Sequence, residues 1–137
     1  MMMKLTKRES DYLLTLLRMN AYSGNYISSV KLAEKLNVTP PTAVETLRKL
    51  ADKGYVDYVK RKGAQLTCKG MKIARKLLRK HRILEVLVVE IAKIEVDRAC
   101  SMIRGLELLI NDELIELFNN ALGNPRQCPH GYEIPEV

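Results

Sequence analysis

Cysteine is scarce in this chain. Cys68, Cys100 and Cys128 stand far apart among 137 residues, and an odd number at wide spacing excludes the disulfide framework that staples small secreted domains. Long apolar runs are also missing. None reaches the roughly 18 residues of a membrane-spanning helix, and no signal peptide is recognisable. There is no internal repeat and no low-complexity segment. Neither a nucleophile–base spacing nor a glycine-rich phosphate cradle is present, which argues against an enzyme. Together these absences predict a cytoplasmic protein, away from membranes, with reduced thiols free to bind metal.

Acidic residues are thin over one long region. Residues 31–82 hold 15 Lys/Arg against 4 Asp/Glu, whereas residues 83–137 hold 4 against 10, within a net charge of +7. A split of this kind implies that one half faces a polyanion and the other does something else. Hydrophobic residues make up 47 %, enough for a globular core in one domain or two small ones.

The basic half has the pattern of a DNA reader. Thr6-Lys7-Arg8-Glu9 has the spacing of a capping box and opens a first helix, with Tyr12, Leu13, Leu16 and Leu17 as its apolar stripe. Ser28 or Ser29 caps a second helix, and Thr39 with Pro40 opens a third that Gly54 stops. Two short helices joined by Asn37-Val38-Thr39 form a helix-turn-helix. Tyr55 to Lys60 and Ala64 to Leu66 then predict a hairpin with Lys60-Arg61-Lys62 at its tip, which makes the whole a winged helix.

Thr67 to Ala92 reads as one helix of about 25 residues, roughly 37 Å long. Its first half is basic, as if for phosphates, and its second half is apolar. Leu84, Val86, Leu87, Val88 and Ile91 form a patch suited to a partner helix. His81 and Glu85 sit at the changeover, four residues apart on one face. A fifth helix is expected from Val96 to about Leu109, and a sixth capped by Asn111. The predicted fold is mainly α. An N-terminal winged helix-turn-helix with a small β-hairpin wing (1–70) is joined by a long helix to a helical dimerisation domain (71–137).

Several stretches together carry a resemblance. Leu32-Ala33-Glu34-Lys35-Leu36, Gly54-Tyr55-Val56, Leu66-Thr67-x-Lys69-Gly70, Arg79-Lys80-His81-Arg82-x-Leu84-Glu85, Leu106-Glu107 with Asn111-Asp112-Glu113-Leu114, and Cys128-Pro129-His130-Gly131 follow in order. The chain resembles the diphtheria-toxin-repressor and manganese-transport-regulator family of metal-dependent transcriptional repressors, in the short form without an SH3-like domain. The resemblance implies a homodimer, paired through the helices after the wing, on double-stranded DNA carrying a palindromic operator. It places Thr39, Pro41, Thr42 and Glu45 where recognition-helix residues approach bases and phosphates. Ser28, Ser29, Lys49, Lys60, Arg61 and Lys62 are expected phosphate contacts.

For the metal, the resemblance maps His81 and Glu85 onto two ligands, Asp11 onto a first-helix carboxylate ligand and Glu107 onto a shared carboxylate ligand. Cys100 falls where some members have a histidine. The chain also departs from the pattern, with Arg104 and Leu108 at expected ligand positions and Leu14 in place of a glutamate. A His81–Glu85–Cys100 triad suits zinc or ferrous iron better than manganese, because a thiolate is a soft ligand. Cys128 and His130 are read as a turn element in preference to a chelating pair. The implied function is a homodimeric DNA-binding regulator, a repressor activated by a divalent transition metal (Fe, Zn or Mn). The alternative is a metal-independent DNA-binding relative whose sensor has degenerated.

Overall fold

The computed structural model describes residues 5–137, so residues 1–4 of the predicted first domain lie outside the described residues. The chain divides into two compact units, the first ending at Ala74 and the second running Arg75–Val137. In order, the elements are α1 (Lys7–Arg18), α2 (Ser29–Leu36), α3 (Pro40–Asp52), β1 (Val56–Val59), β2 (Gly63–Leu66), α4 (Cys68–Ala92), α5 (Val96–Ile103), a 3-10 turn (Leu106–Leu108) and α6 (Asp112–Ala121). The fold is mainly helical with a two-stranded antiparallel hairpin, as expected.

Local chemistry sets the helix starts. The Thr6 hydroxyl accepts the Glu9 amide and the Glu9 carboxylate accepts the Thr6 amide, which closes the capping box. Ser28, Thr39 and Asn111 cap α2, α3 and α6, each with a side-chain oxygen accepting a first-turn amide. Glu9 is nearly buried. Burial alone would raise its pKa, but two 2.8 Å bonds from Lys53 Nζ and the Thr6 amide reverse that and hold it below the usual carboxylate range.

The first unit is built on one core. Tyr12, Leu13 and Leu16 of α1 meet Leu32 and Ala33 of α2, Ala43, Leu47 and Leu50 of α3, Val56 and Leu66 of the hairpin, and Ala74 of α4. Fully burying a leucine side chain contributes about 1.5–3 kcal/mol. The hairpin pairs Val56 with Leu66 and Val59 with Gly63. A bridge between Ile27 and Ala64 ties it to the entry of α2.

Gly70, in the first turn of α4, is required by close approach. A Cβ there would lie 1.9 Å from the Tyr55 carbonyl oxygen, a backbone atom that no rotamer change can move away. Gly70→Ala is therefore expected to destabilise the first unit by at least about 2–3 kcal/mol, measured by chemical denaturation.

The second unit has its own core of Ile83, Leu84, Val86, Ile103, Ile115 and Ile134. Two expectations are corrected here. α5 stops at Ile103 instead of running to Leu109, because Gly105 takes φ 94° and the chain continues as the 3-10 turn. The apolar patch on α4 is mostly internal: Leu84 and Val86 are buried and Leu87 and Val88 half-buried, leaving Ile91 exposed. The exposed apolar side chains elsewhere in this unit include Met102, Leu106, Leu109, Leu114 and Leu117. Among the described residues no helix is long and apolar enough to cross a membrane.

Candidate nucleic-acid interface and metal centre

In the first unit the residues expected to meet DNA stand mostly at the surface. Thr39 is the N-cap of α3, and its hydroxyl lies 2.8 Å from that of Thr42. One hydroxyl of such a pair keeps a free donor, so the cap remains able to bond outward. Pro41 and Glu45 are exposed on α3, and Thr42 is half-buried. Glu45 faces Lys49 at 3.7 Å with both side chains largely in solvent, a pairing too weak to hold Lys49 back from a phosphate. A groove of ≈ 400 Å³ runs past Thr42, Glu45 and Lys49 and is shared by Arg8, for which the motif spacing offered no signal.

Ser28 is exposed and caps α2, and Ser29 is half-buried in its first turn. Lys60, Arg61 and Lys62 form the exposed hairpin tip, with Arg61 at φ 71° making the reversal. The Lys62 ammonium lies 4.2 Å from the centre of the Tyr26 ring.

The basic first half of α4 behaves differently from expectation within the second unit. Arg79 makes a two-pronged pair with Glu116, at 3.0 and 2.7 Å. Lys76 and Lys80 both hold Asp112 at 2.5 Å. These cations have acidic partners 30 or more residues away, and they lower the Asp112 and Glu116 carboxyl pKa values. They therefore answer the acids of α6.

His81 and Glu85 lie buried on α4 with His81 Nε2 3.1 Å from Glu85 Oε2. Cys100 comes from α5 to place its Sγ 3.3 Å from the same His81 nitrogen. The donor atoms of these three residues all fall within 4.8 Å of one another. Zn–N and Zn–S bonds of about 2.0–2.1 and 2.3 Å separate neighbouring tetrahedral donors by about 3.5 Å, close to the spacing found.

A second grouping, Glu85 with Cys128 and His130, also lies within 4.8 Å. Glu85 Oε1 is 3.2 Å from His130 Nδ1, and the other ring nitrogen is 2.9 Å from Asp97 Oδ1. Glu85 thus divides its two oxygens between the clusters. Sequence alone reads Cys128 and His130 as a turn element; their Cys-x-His spacing is the available signal, but more than 40 residues separate them from Glu85.

Glu107, buried on the 3-10 turn, belongs to neither grouping. It stands behind His81, with Oε2 3.6 Å from Nδ1, and accepts the Gly105 amide. A carboxylate on the outer nitrogen of a ligating histidine orients the ring and raises its basicity. Asp11 stands half-buried on α1 in the first unit and is in neither grouping. Arg104, the C-cap of α5, is exposed, Leu108 is half-buried, and Leu14 is buried.

The electrostatics favour a cation. Burial opposes charge on Glu85, yet bonds from His81, Cys100 and His130 pull its pKa to about 2. Burial likewise opposes charge on His81, and Glu107 and Glu85 overcome it, raising its pKa. Asp97 leads the causes that raise the pKa of His130. His81 Nδ1 and Glu107 Oε1 are nonetheless buried without a hydrogen-bond partner. A pocket that draws a proton onto His81 between two carboxylates also attracts a metal ion, and two imidazoles, two thiols and a shared carboxylate fit a borderline-soft one.

Comparison with known proteins agrees with both halves. Residues 4–64 match the family model for the N-terminal DNA binding domain of iron dependent repressors, and residues 67–136 that for their metal binding and dimerisation domain. An HTH-type transcriptional regulator of Aeropyrum pernix is 34% identical over 122 residues, covering 87% of this chain and 66% of that protein. The solved structure of the manganese regulator SloR superposes with a TM-score of 0.83 at 32% identity, over 96% of this chain and 61% of that one. ScaR with bound Zn2+ gives a TM-score of 0.77 at 30% identity, over 93% and 59%. The chain thus spans about three fifths of these two solved regulators. With its winged helix and its cluster-bearing helical unit matched by consecutive models, the chain belongs to the iron dependent repressor family, whose members are transcriptional regulators rather than enzymes.

Proposed function

We propose that this protein is a homodimeric repressor that binds an operator in double-stranded DNA through α3 and the wing, under the control of a divalent transition metal held in the second unit. The observation that carries this reading is the placement of Glu85, one buried carboxylate serving two His/Cys clusters. His81, Glu85 and Cys100 would hold one ion, Glu85, Cys128 and His130 another, and Glu107 would orient His81. A bound metal would supply positive charge to donors contributed by α4, α5 and the C-terminal segment. Thiolate donors select zinc or ferrous iron over manganese. α4 is one helix from Cys68 to Ala92, so metal that orders its second half would favour one of the chain's states over another.

On the DNA, the exposed Glu45 accepts from a cytosine amine, and Thr42 touches a thymine methyl or a phosphate. Lys49 and the wing tip neutralise phosphates. If Lys49, Lys60, Arg61 and Lys62 of both protomers each neutralise one phosphate, log K should fall with log salt at a slope of about −7. Fluorescence anisotropy of a palindromic duplex in rising salt measures this. A slope near zero would point to a winged helix used for protein contacts. Arg104 and Leu108 at expected ligand positions favour a second reading, a DNA-binding protein that has lost its sensor, which metal titration separates from the first.

A further inference from the structure

We propose that Arg75 and Arg82 are positioning residues for the Glu85–Cys128–His130 cluster, holding the C-terminal segment against α4 so that its two donors lie beside the helix carboxylate. The inference rests on the reading of that cluster as a metal site. Three arginines of α4 bond backbone carbonyls of the segment in order: Arg75 to Glu136 at 3.1 Å, Arg79 to Pro135 at 2.9 Å, and Arg82 to Glu133. Residue numbers fall along the segment as they rise along α4, so the two run antiparallel. The next contact in that order is His130 with Glu85, at 3.2 Å.

Positions 75, 79, 82 and 85 follow helical spacing and form one stripe. Arg82 also lies over the Tyr132 ring, 5.3 Å from its centre. Within the segment, Cys128 accepts the Gly131 amide and donates its own to Tyr132, and the Ile134 amide bonds Arg126. Cys128 and His130 therefore move together. Cys128 and Ile134 bury the two ends of this stretch, and the arginine bonds fix the carbonyls of residues 133, 135 and 136 along α4. Arg75 and Arg82 meet the segment through the Glu136 and Glu133 carbonyls, whereas Arg79 is tied to Glu116 and would disturb α6 if replaced.

The test is a cobalt(II) titration of the full chain, followed by thiolate-to-cobalt charge-transfer absorption and competed with a chelator. Cys128→Ser assigns the part of the band due to this cluster. Arg75→Ala/Arg82→Ala should weaken the Cys128-dependent site about 10-fold or more, and Arg82→Lys should fall between. By linkage, cobalt should slow amide exchange at Cys128 and Ile134 by a matching factor, which a purely structural role would not produce. If the double variant fails to fold by circular dichroism, Arg75→Ala and Arg82→Lys carry the same comparison. A Cys128-dependent band with unchanged affinity in the folded variants overturns this inference alone. No such band in the unsubstituted protein overturns it together with the metal reading of the cluster.

Discussion

Glu85→Gln is expected to reduce zinc affinity by at least about 100-fold, read by competition against a chelating dye. The substitution keeps the shape of the side chain and removes its charge. One Glu85 oxygen lies 3.1 Å from His81 and the other 3.2 Å from His130, so a single change reaches both clusters. Losing a group that only supports a ligand typically costs 10–100-fold in metal affinity. A ligand shared by two groupings should lie at the upper end of that range or above it. His81→Ala leaves Cys128, His130 and Glu85 in place and should therefore spare part of the binding. Equal, small losses in both variants would show that Glu85 is not the shared donor.

The second large effect concerns assembly. If the proposed homodimer forms through this unit, Leu109→Asp should convert it to a monomer in sedimentation equilibrium at micromolar concentration, weakening association by at least about 2 kcal/mol, or roughly 30-fold. Leu109 is 83% exposed and Ile91 73%, and Leu114 and Leu117 stand exposed three residues apart on α6. Large apolar side chains left exposed on one small unit are the groups a partner's apolar surface would cover. Because Leu109 is already exposed, the monomer should unfold at nearly the same temperature as the parent subunit. DNA affinity should fall with the dimer, since two coupled half-site contacts become one.

Much of the first unit was legible because its signals are local. Thr6 with Glu9, Ser28 and Thr39 announce their helices within four residues, as Asn111 does for α6 in the second unit, and the hairpin is marked by its strands and its basic tip. The end of α5 was hidden because Gly105 falls inside a continuing apolar pattern, where a single glycine is only a weak stop. The charge split was visible, but its destination was not. Counting places Arg75, Lys76, Arg79, Lys80 and Arg82 in a DNA-facing block, whereas the fold gives them Asp112, Glu116 and the carbonyls of residues 133–136. The same limit applies to Glu85. Its helical neighbour His81 follows from i, i+4 spacing, while Cys128 and His130 reach it only through the path of the C-terminal segment. For the apolar half of α4, periodicity could not tell a face turned to its own core from one turned to a partner.

The claim that metal held by the second unit governs DNA binding by the first is tested most directly by one titration. Anisotropy of a palindromic duplex is followed with the protein in chelator, and again with zinc or ferrous iron at fixed salt. Affinity should rise at least about 10-fold with metal, and the rise should vanish in Glu85→Gln. Equal affinity with and without metal would contradict the account and leave a DNA-binding protein without a sensor.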